Sequence, residues 1–194
     1  GEAYFLRAFN YFFLTRQYGR MPIIDHVLTY DEYYTPRASI EETWEFMVQD
    51  LKQAIELLPK KSEYQAADLG RATQGAAYAM LGKVYIYQGK FQEAYEALKE
   101  VVNSGEYGLE PNYADVFTLE HENGIESLFE IQHGISGTGW ADDNEGSILS
   151  FYEHDADPDD PVKWHNGWSM HCLTADLVNS YEDGDPRLNA TVIF

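Results

Sequence analysis

Residues 73–103, TQGAAYAMLGKVYIYQGKFQEAYEALKEVVN, constrain this chain more than any other stretch. The spacing predicts two antiparallel helices broken at Gln88-Gly89-Lys90. In the first, Ala77, Leu81, Val84 and Tyr85 recur at three- and four-residue steps and form an apolar stripe. In the second, Phe91, Ala94, Tyr95, Leu98, Val101 and Val102 repeat the pattern. Gly89 can enter the left-handed region without a Cβ penalty and so end the first helix. Gly82 in mid-helix costs roughly 1 kcal/mol against Ala, so it needs a packing reason, and close approach of the second helix at Ala94 supplies one.

The hairpin resembles one tetratricopeptide (TPR) unit through Leu81-Gly82, Tyr85 and Ala94. Tyr78 stands near the consensus Trp, Leu98 replaces the later Phe, and Glu106 stands where Pro is usual. Upstream, Phe5, Ala8, Phe9, Phe12, Phe13 and Tyr18 share a helical face, and Gly19 reads as its C-cap. Ser39 and Glu42 form an S-x-x-E capping box opening a helix that carries Ile40, Trp44, Met47, Leu51, Ala54, Ile55 and Leu58 inward and stops at Pro59. These two helices read as a second TPR-like pair whose connecting loop, residues 19–38, has been expanded.

After Asn103 the character changes. Ser127–Gln132 is the best strand candidate, with Phe129 and Ile131 on one side. Residues 133–167 are rich in Gly, Asp and Asn, a length of irregular chain that is either functional or disordered; Trp140, Phe151, Tyr152, Trp164 and Trp168 argue against simple disorder. Thr174 is the expected cap of a short helix over Ala175–Tyr181, which ends at the turn around Asp183–Arg187. The domain reading is a TPR-like scaffold over residues 1–132 and a loop-rich region over 133–194, both within one domain. The chain opens in helical pattern at Gly1 without a start signal and ends on a strand-like run at Thr191–Phe194, so it is expected to be a piece of a larger protein.

Composition narrows the partners. At 194 residues with 44% hydrophobic content the chain can bury a full core. The formal charge of −20, from 33 acidic and 13 basic side chains, argues against nucleic acid and against direct contact with an anionic membrane. A single cysteine, Cys172, excludes an internal disulfide or a cysteine zinc site, and no apolar run reaches transmembrane length. Six scattered histidines lack metal spacing, and Ser147 and Cys172 lack a nucleophile-elbow context. No phosphate-cradling loop occurs, so no cofactor, no metal and no catalytic residue is expected. Asp155, Asp157 and Asp159 alternate like part of a calcium loop, but the Gly and distant Glu are missing and Pro158 and Pro161 interrupt it; the Asp155–Asp160 run reads as an acidic loop.

Aromatics at 15% exceed what a core alone needs. An indole or phenol can lie against the apolar face of a sugar ring while Asn, Asp and His bond its hydroxyls. Trp140 with Asn144, Tyr152, and Trp164 with Asn166 have that composition and form the candidate ligand set; anchoring of loops on the scaffold is the competing reading, favoured for Trp168.

The motifs also occur in a familiar order. Gly1-Glu-Ala-x-Phe-Leu-Arg-Ala8, Tyr18-Gly19-x-x-Pro22, Pro36-Arg-Ala-Ser39, Gly70-Arg-Ala-Thr73, Asn103-Ser-Gly-Glu-Tyr107, Glu126-Ser-x-x-Phe-Glu130 and Glu182-Asp-Gly-Asp-Pro-Arg187 together resemble the SusD/RagB family of starch-utilisation-type nutrient-binding lipoproteins. The resemblance implies a mainly α fold, with four TPR-like units as scaffold and a loop-rich, aromatic-rich half that builds the ligand site. It further implies a surface-exposed, lipid-anchored protein of the Bacteroidetes outer membrane. Such a protein captures oligosaccharides or another nutrient and covers a SusC-like TonB-dependent transporter, with no enzymatic activity. The family's lipidated N-terminal Cys has no counterpart here, since Cys172 cannot be that residue. A transporter-binding scaffold without glycan affinity is the alternative. The family's sugar contacts vary between members, so no ligand residue transfers by motif.

Overall fold

The computed structural model describes residues 1–132 and 174–191. Two compact units form, one from residues 1–110 with 118–130, the other from 111–117 with 131–194.

The first unit is built on four α-helices: α1 (Glu2–Tyr18), α2 (Ile40–Leu57), α3 (Gln74–Tyr87) and α4 (Phe91–Asn103). Each packs on the next in chain order. Helix α3, sandwiched between α2 and α4, buries Gly75, Ala76, Ala77, Met80, Leu81, Gly82 and Val84, which is why it is apolar around most of its circumference. The core runs from Phe5, Ala8 and Phe12 of α1 through Met47, Val48, Leu51 and Ala54 of α2 to Ala77, Leu81 and Val84 of α3.

Local signals set the helix ends. The Ser39 hydroxyl accepts from Glu42 N at 3.1 Å and the Glu42 carboxylate accepts from Ser39 N at 2.7 Å, closing the capping box. Thr73 caps α3 by accepting from Ala76 N at 3.0 Å. Gly89 sits at φ +73° and its N–H donates to Ile86 O, ending α3 as anticipated.

The 19–38 excursion is pinned at its base. Tyr11 Oη donates to Pro22 O at 2.9 Å and accepts from Ile24 N at 2.8 Å. Ala38 N donates to Met21 O at 2.9 Å, and Arg20 Nε donates to Ala38 O at 3.1 Å. The loop therefore leaves and re-enters the scaffold through a hydrogen-bonded neck, and residues 30–32 form a 3₁₀ turn at its far end.

Four sequence expectations are corrected. In α1, Phe13 and Tyr18 are exposed and the buried face instead includes Tyr11 and Thr15; the two tyrosines differ because only Tyr11 finds partners for its hydroxyl below the surface. In α4 the surface against α3 is Ala94, Ala97 and Val101, while Phe91, Tyr95 and Val102 are 69%, 57% and 77% exposed. Small residues win that face because they let the helices close, and Leu98 at its edge fills the space that Gly82 leaves. Among the described residues there is no strand. Residues 127–132 run without a ladder partner, Phe129 packing edge-on against Phe5 and Phe9 while Ile131 stays exposed. Thr191, read as the start of a terminal strand-like run, closes a helix instead.

In the second unit, α5 (Ala175–Asn179) is capped by Thr174, whose hydroxyl accepts from Leu177 N at 3.3 Å. Helix α6 (Pro186–Thr191) opens on a proline that suits a first helical position and packs against the 3₁₀ turn Tyr113–Phe117.

Candidate functional site

The ligand set expected from sequence, Trp140, Asn144, Tyr152, Trp164 and Asn166, lies outside the described residues, as does the Asp155–Asp160 run. Among the described residues no group of three or more His, Cys, Asp or Glu could hold a metal ion. No described helix is long and apolar enough to cross a membrane.

Within the first unit, a cleft of about 220 Å³ opens where the N-terminal turn of α3 meets the end of α4 and the residues after α2. Its aromatic walls are Tyr78 and Tyr107, and its polar rim includes Lys60, Gln74, Glu100 and Asn103. Tyr107 is fixed on two sides. Its hydroxyl pairs with the Thr73 hydroxyl at 2.7 Å, and its ring lies so close to α3 that a Cβ on Gly75 would come within 2.3 Å of Cε2. Burial pushes the Tyr107 phenol up from its ordinary range, so it remains a neutral hydrogen-bonding group.

Lys61 also lines the cleft. Its ammonium donates to Gly124 O and, at 2.9 Å, to Ser127 O, and lies 5.3 Å from the centre of the Tyr107 ring. Burial lowers its pKa below the ordinary lysine value, with Glu130 and Glu106 opposing that shift. Glu106 is held in turn by Ser62, accepting from its N–H and its hydroxyl at 2.8 Å each. Sequence reading missed this cleft because its residues fall in three separated polar segments. The only local hint is the Gly75 that opens an otherwise Ala-rich helix.

A second surface is the 25–35 loop. Tyr30, Tyr33 and Tyr34 are 86%, 63% and 95% exposed, with Tyr30 and Tyr33 edge-to-face at 5.7 Å. The turn that carries them is ordered by Glu32, which accepts from Thr29 N at 2.8 Å and Thr29 Oγ1 at 2.7 Å. These bonds, the backbone one foremost, lower the Glu32 carboxyl to about 2. His26 bridges Asp25 at 2.6 Å and Glu32 at 3.2 Å, and its pKa is raised, first by Asp25 and then by Glu32. Both ring nitrogens face carboxylates that can only accept, so the geometry is that of the imidazolium.

A family model described as SusD-like, starch-binding and associating with the outer membrane, matches residues 1–86. A SusD-like protein of Bacteroides ovatus is 30% identical over 203 residues, covering 98% of this chain and 35% of that protein. SusD-like protein P2 of Formosa agariphila is 29% identical over 194 residues, covering 96% of this chain and 36% of the relative. The chain thus spans about a third of the length of these curated relatives. The solved structure of a laminarin-binding SusD-like protein superposes with a TM-score of 0.83 at 31% identity, over 97% of this chain and 44% of that one. With the motif order and the paired-helix scaffold, these similarities agree: the chain belongs to the SusD-like family.

Proposed function

We propose that this chain is part of a non-catalytic protein that captures oligosaccharides at the bacterial cell surface and passes them to a SusC-like TonB-dependent transporter of the outer membrane. The observation that carries this reading is the likeness, over 97% of the chain, to a protein described as laminarin-binding and SusD-like. The family description, starch-binding and associating with the outer membrane, points the same way. The net charge of −20 suits a neutral glycan and disfavours polyanions. In this reading Trp140, Tyr152 and Trp164 stack against sugar rings, and Asn144 and Asn166 bond their hydroxyls. A lipid anchor carried by a longer form of the protein holds it to the membrane.

Calorimetry of the chain against laminarin, starch and xylan oligomers tests this. Binding without release of reducing ends is the expected result, weakened about tenfold by Trp140→Ala or Trp164→Ala. Equal affinity in both variants removes those residues from the site, and an absence of affinity across the panel defeats the glycan reading.

A second reading is favoured by the ordered, exposed tyrosines of the 25–35 loop. Here the chain is a docking scaffold for the transporter, without glycan affinity of its own. Co-purification of the transporter that is lost on replacing Tyr30, Tyr33 and Tyr34 by Ser, with no glycan binding by either form, is its signature.

A further inference from the structure

We infer that the cleft between the start of α3 and the end of α4 is a separate binding site for a single neutral sugar residue. Its volume of about 220 Å³ falls below the roughly 300–1,000 Å³ of pockets that take drug-sized ligands, which matches one ring and not an oligomer. The ligand class rests on the glycan reading above; the site itself rests on the cleft.

Three observations carry the assignment. First, the walls are set before any ligand arrives. Tyr107 is tied to Thr73, Glu106 to Ser62, and Lys61 to two backbone carbonyls, so little ordering is left for binding to impose. Second, the rim keeps hydrogen-bonding capacity in reserve. The side chains of Lys60, Glu100 and Asn103 have no hydrogen-bond partner among the described residues, and Gln74 spends its NH₂ on Ile55 O at 3.0 Å, leaving its carbonyl oxygen to accept. Donors (Lys60, Asn103) and acceptors (Glu100, Gln74, Asn103) line the same cleft as two phenol rings, the combination that a ring with one apolar face and a belt of hydroxyls requires. Third, the charges cancel. The lining carries two lysines, Lys60 and Lys61, and two glutamates, Glu100 and Glu106, so it favours neither an anion nor a cation.

The test is NMR of the full chain, labelled with ¹⁵N and titrated with methyl glucoside, methyl galactoside and methyl mannoside, following the side-chain amides of Asn103 and Gln74. At least one glycoside is expected to move both amides saturably. Asn103→Ala and Glu100→Gln, both exposed positions, are expected to weaken that glycoside about fivefold or more at unchanged melting temperature. Amides that stay still, or affinities equal in the wild type and both variants, overturn the inference. So does a response to glycine as zwitterionic probe with none to the glycosides. If oligosaccharide binding is intact and sensitive only to Trp140→Ala and Trp164→Ala, the cleft assignment falls and the functional reading stands. If the glycosides move the cleft amides while no oligosaccharide binds, the cleft assignment stands and the functional reading falls.

Discussion

Replacing Arg7 by Ala strands a charge in the core of the first unit. Arg7 grips Asp50 with two parallel bonds, Nε to Oδ2 and Nη2 to Oδ1, each 2.7 Å. The Asp50 side chain is only 5% exposed and that of Arg7 28%. The guanidinium also lies 4.7 Å above the Phe46 ring, donates to Asp25 O at 3.2 Å, and has its pKa raised chiefly by Asp50. Truncation of one partner of a buried pair costs about 3–5 kcal/mol, because the other charge is left without compensation. Water can enter where Arg7 was, so the lower end applies, about 3 kcal/mol. At this chain length each kcal/mol moves the midpoint by about 2–4 °C, so thermal melts at pH 7 should fall by about 6–12 °C. A Arg7→Met/Asp50→Leu double variant should lose less than the sum of its single changes. A loss under about 1 kcal/mol would refute the argument that burial of Asp50 sets the cost.

Two further outcomes follow from the geometry. Gly82→Leu should cost about 1–3 kcal/mol in a urea or thermal melt, since even a Cβ would come within 2.6 Å of Leu98 Cγ; adding Leu98→Ala should restore most of the loss, and an absence of rescue would locate the strain elsewhere. The His26 clamp should titrate above its ordinary 6.5, contributing fully below that value and fading as the pH rises through the raised one; the paired Asp25 and Glu32 contributions instead fade as the pH falls, toward about 2 for Glu32. NMR titration of the His26 ring checks this, and a value at or below 6.5, unmoved by Asp25→Asn and Glu32→Gln, contradicts it.

The scaffold was legible where the determinants are local. Ser39 and Glu42 lie three residues apart, Thr73 sits one residue before its helix, and Gly89 carries the left-handed turn alone, so each can be read within one helical turn of sequence. Faces were harder. Helix α4 carries a small-residue stripe and a large apolar stripe; periodicity finds both, but only the position of α3 decides that Ala94, Ala97 and Val101 face inward. Nothing near Asp50 in sequence signals its burial, because its partner lies 43 residues away. The 127–132 segment has a strand's alternation, yet a strand needs a neighbour and none is present among the described residues. The cleft was illegible for the same reason as Asp50: Lys60, Gln74 and Asn103 become neighbours only when three segments converge.

The tie at Lys61 bears on how such a chain can vary. One ammonium gathers the carbonyls of Gly124 and Ser127, sixty-odd residues downstream, and holds that segment beside the helices without a ladder of backbone pairs. A paired strand that slips by one residue turns every side chain to the opposite face, so insertions there are penalised at once. A point clasp imposes no register. The chain between α4 and Gly124 is then fixed at points, among them Gly108 N on Ile125 O and the Tyr113–Phe117 turn on α6, and its length can vary between those points while Lys61 keeps its hold.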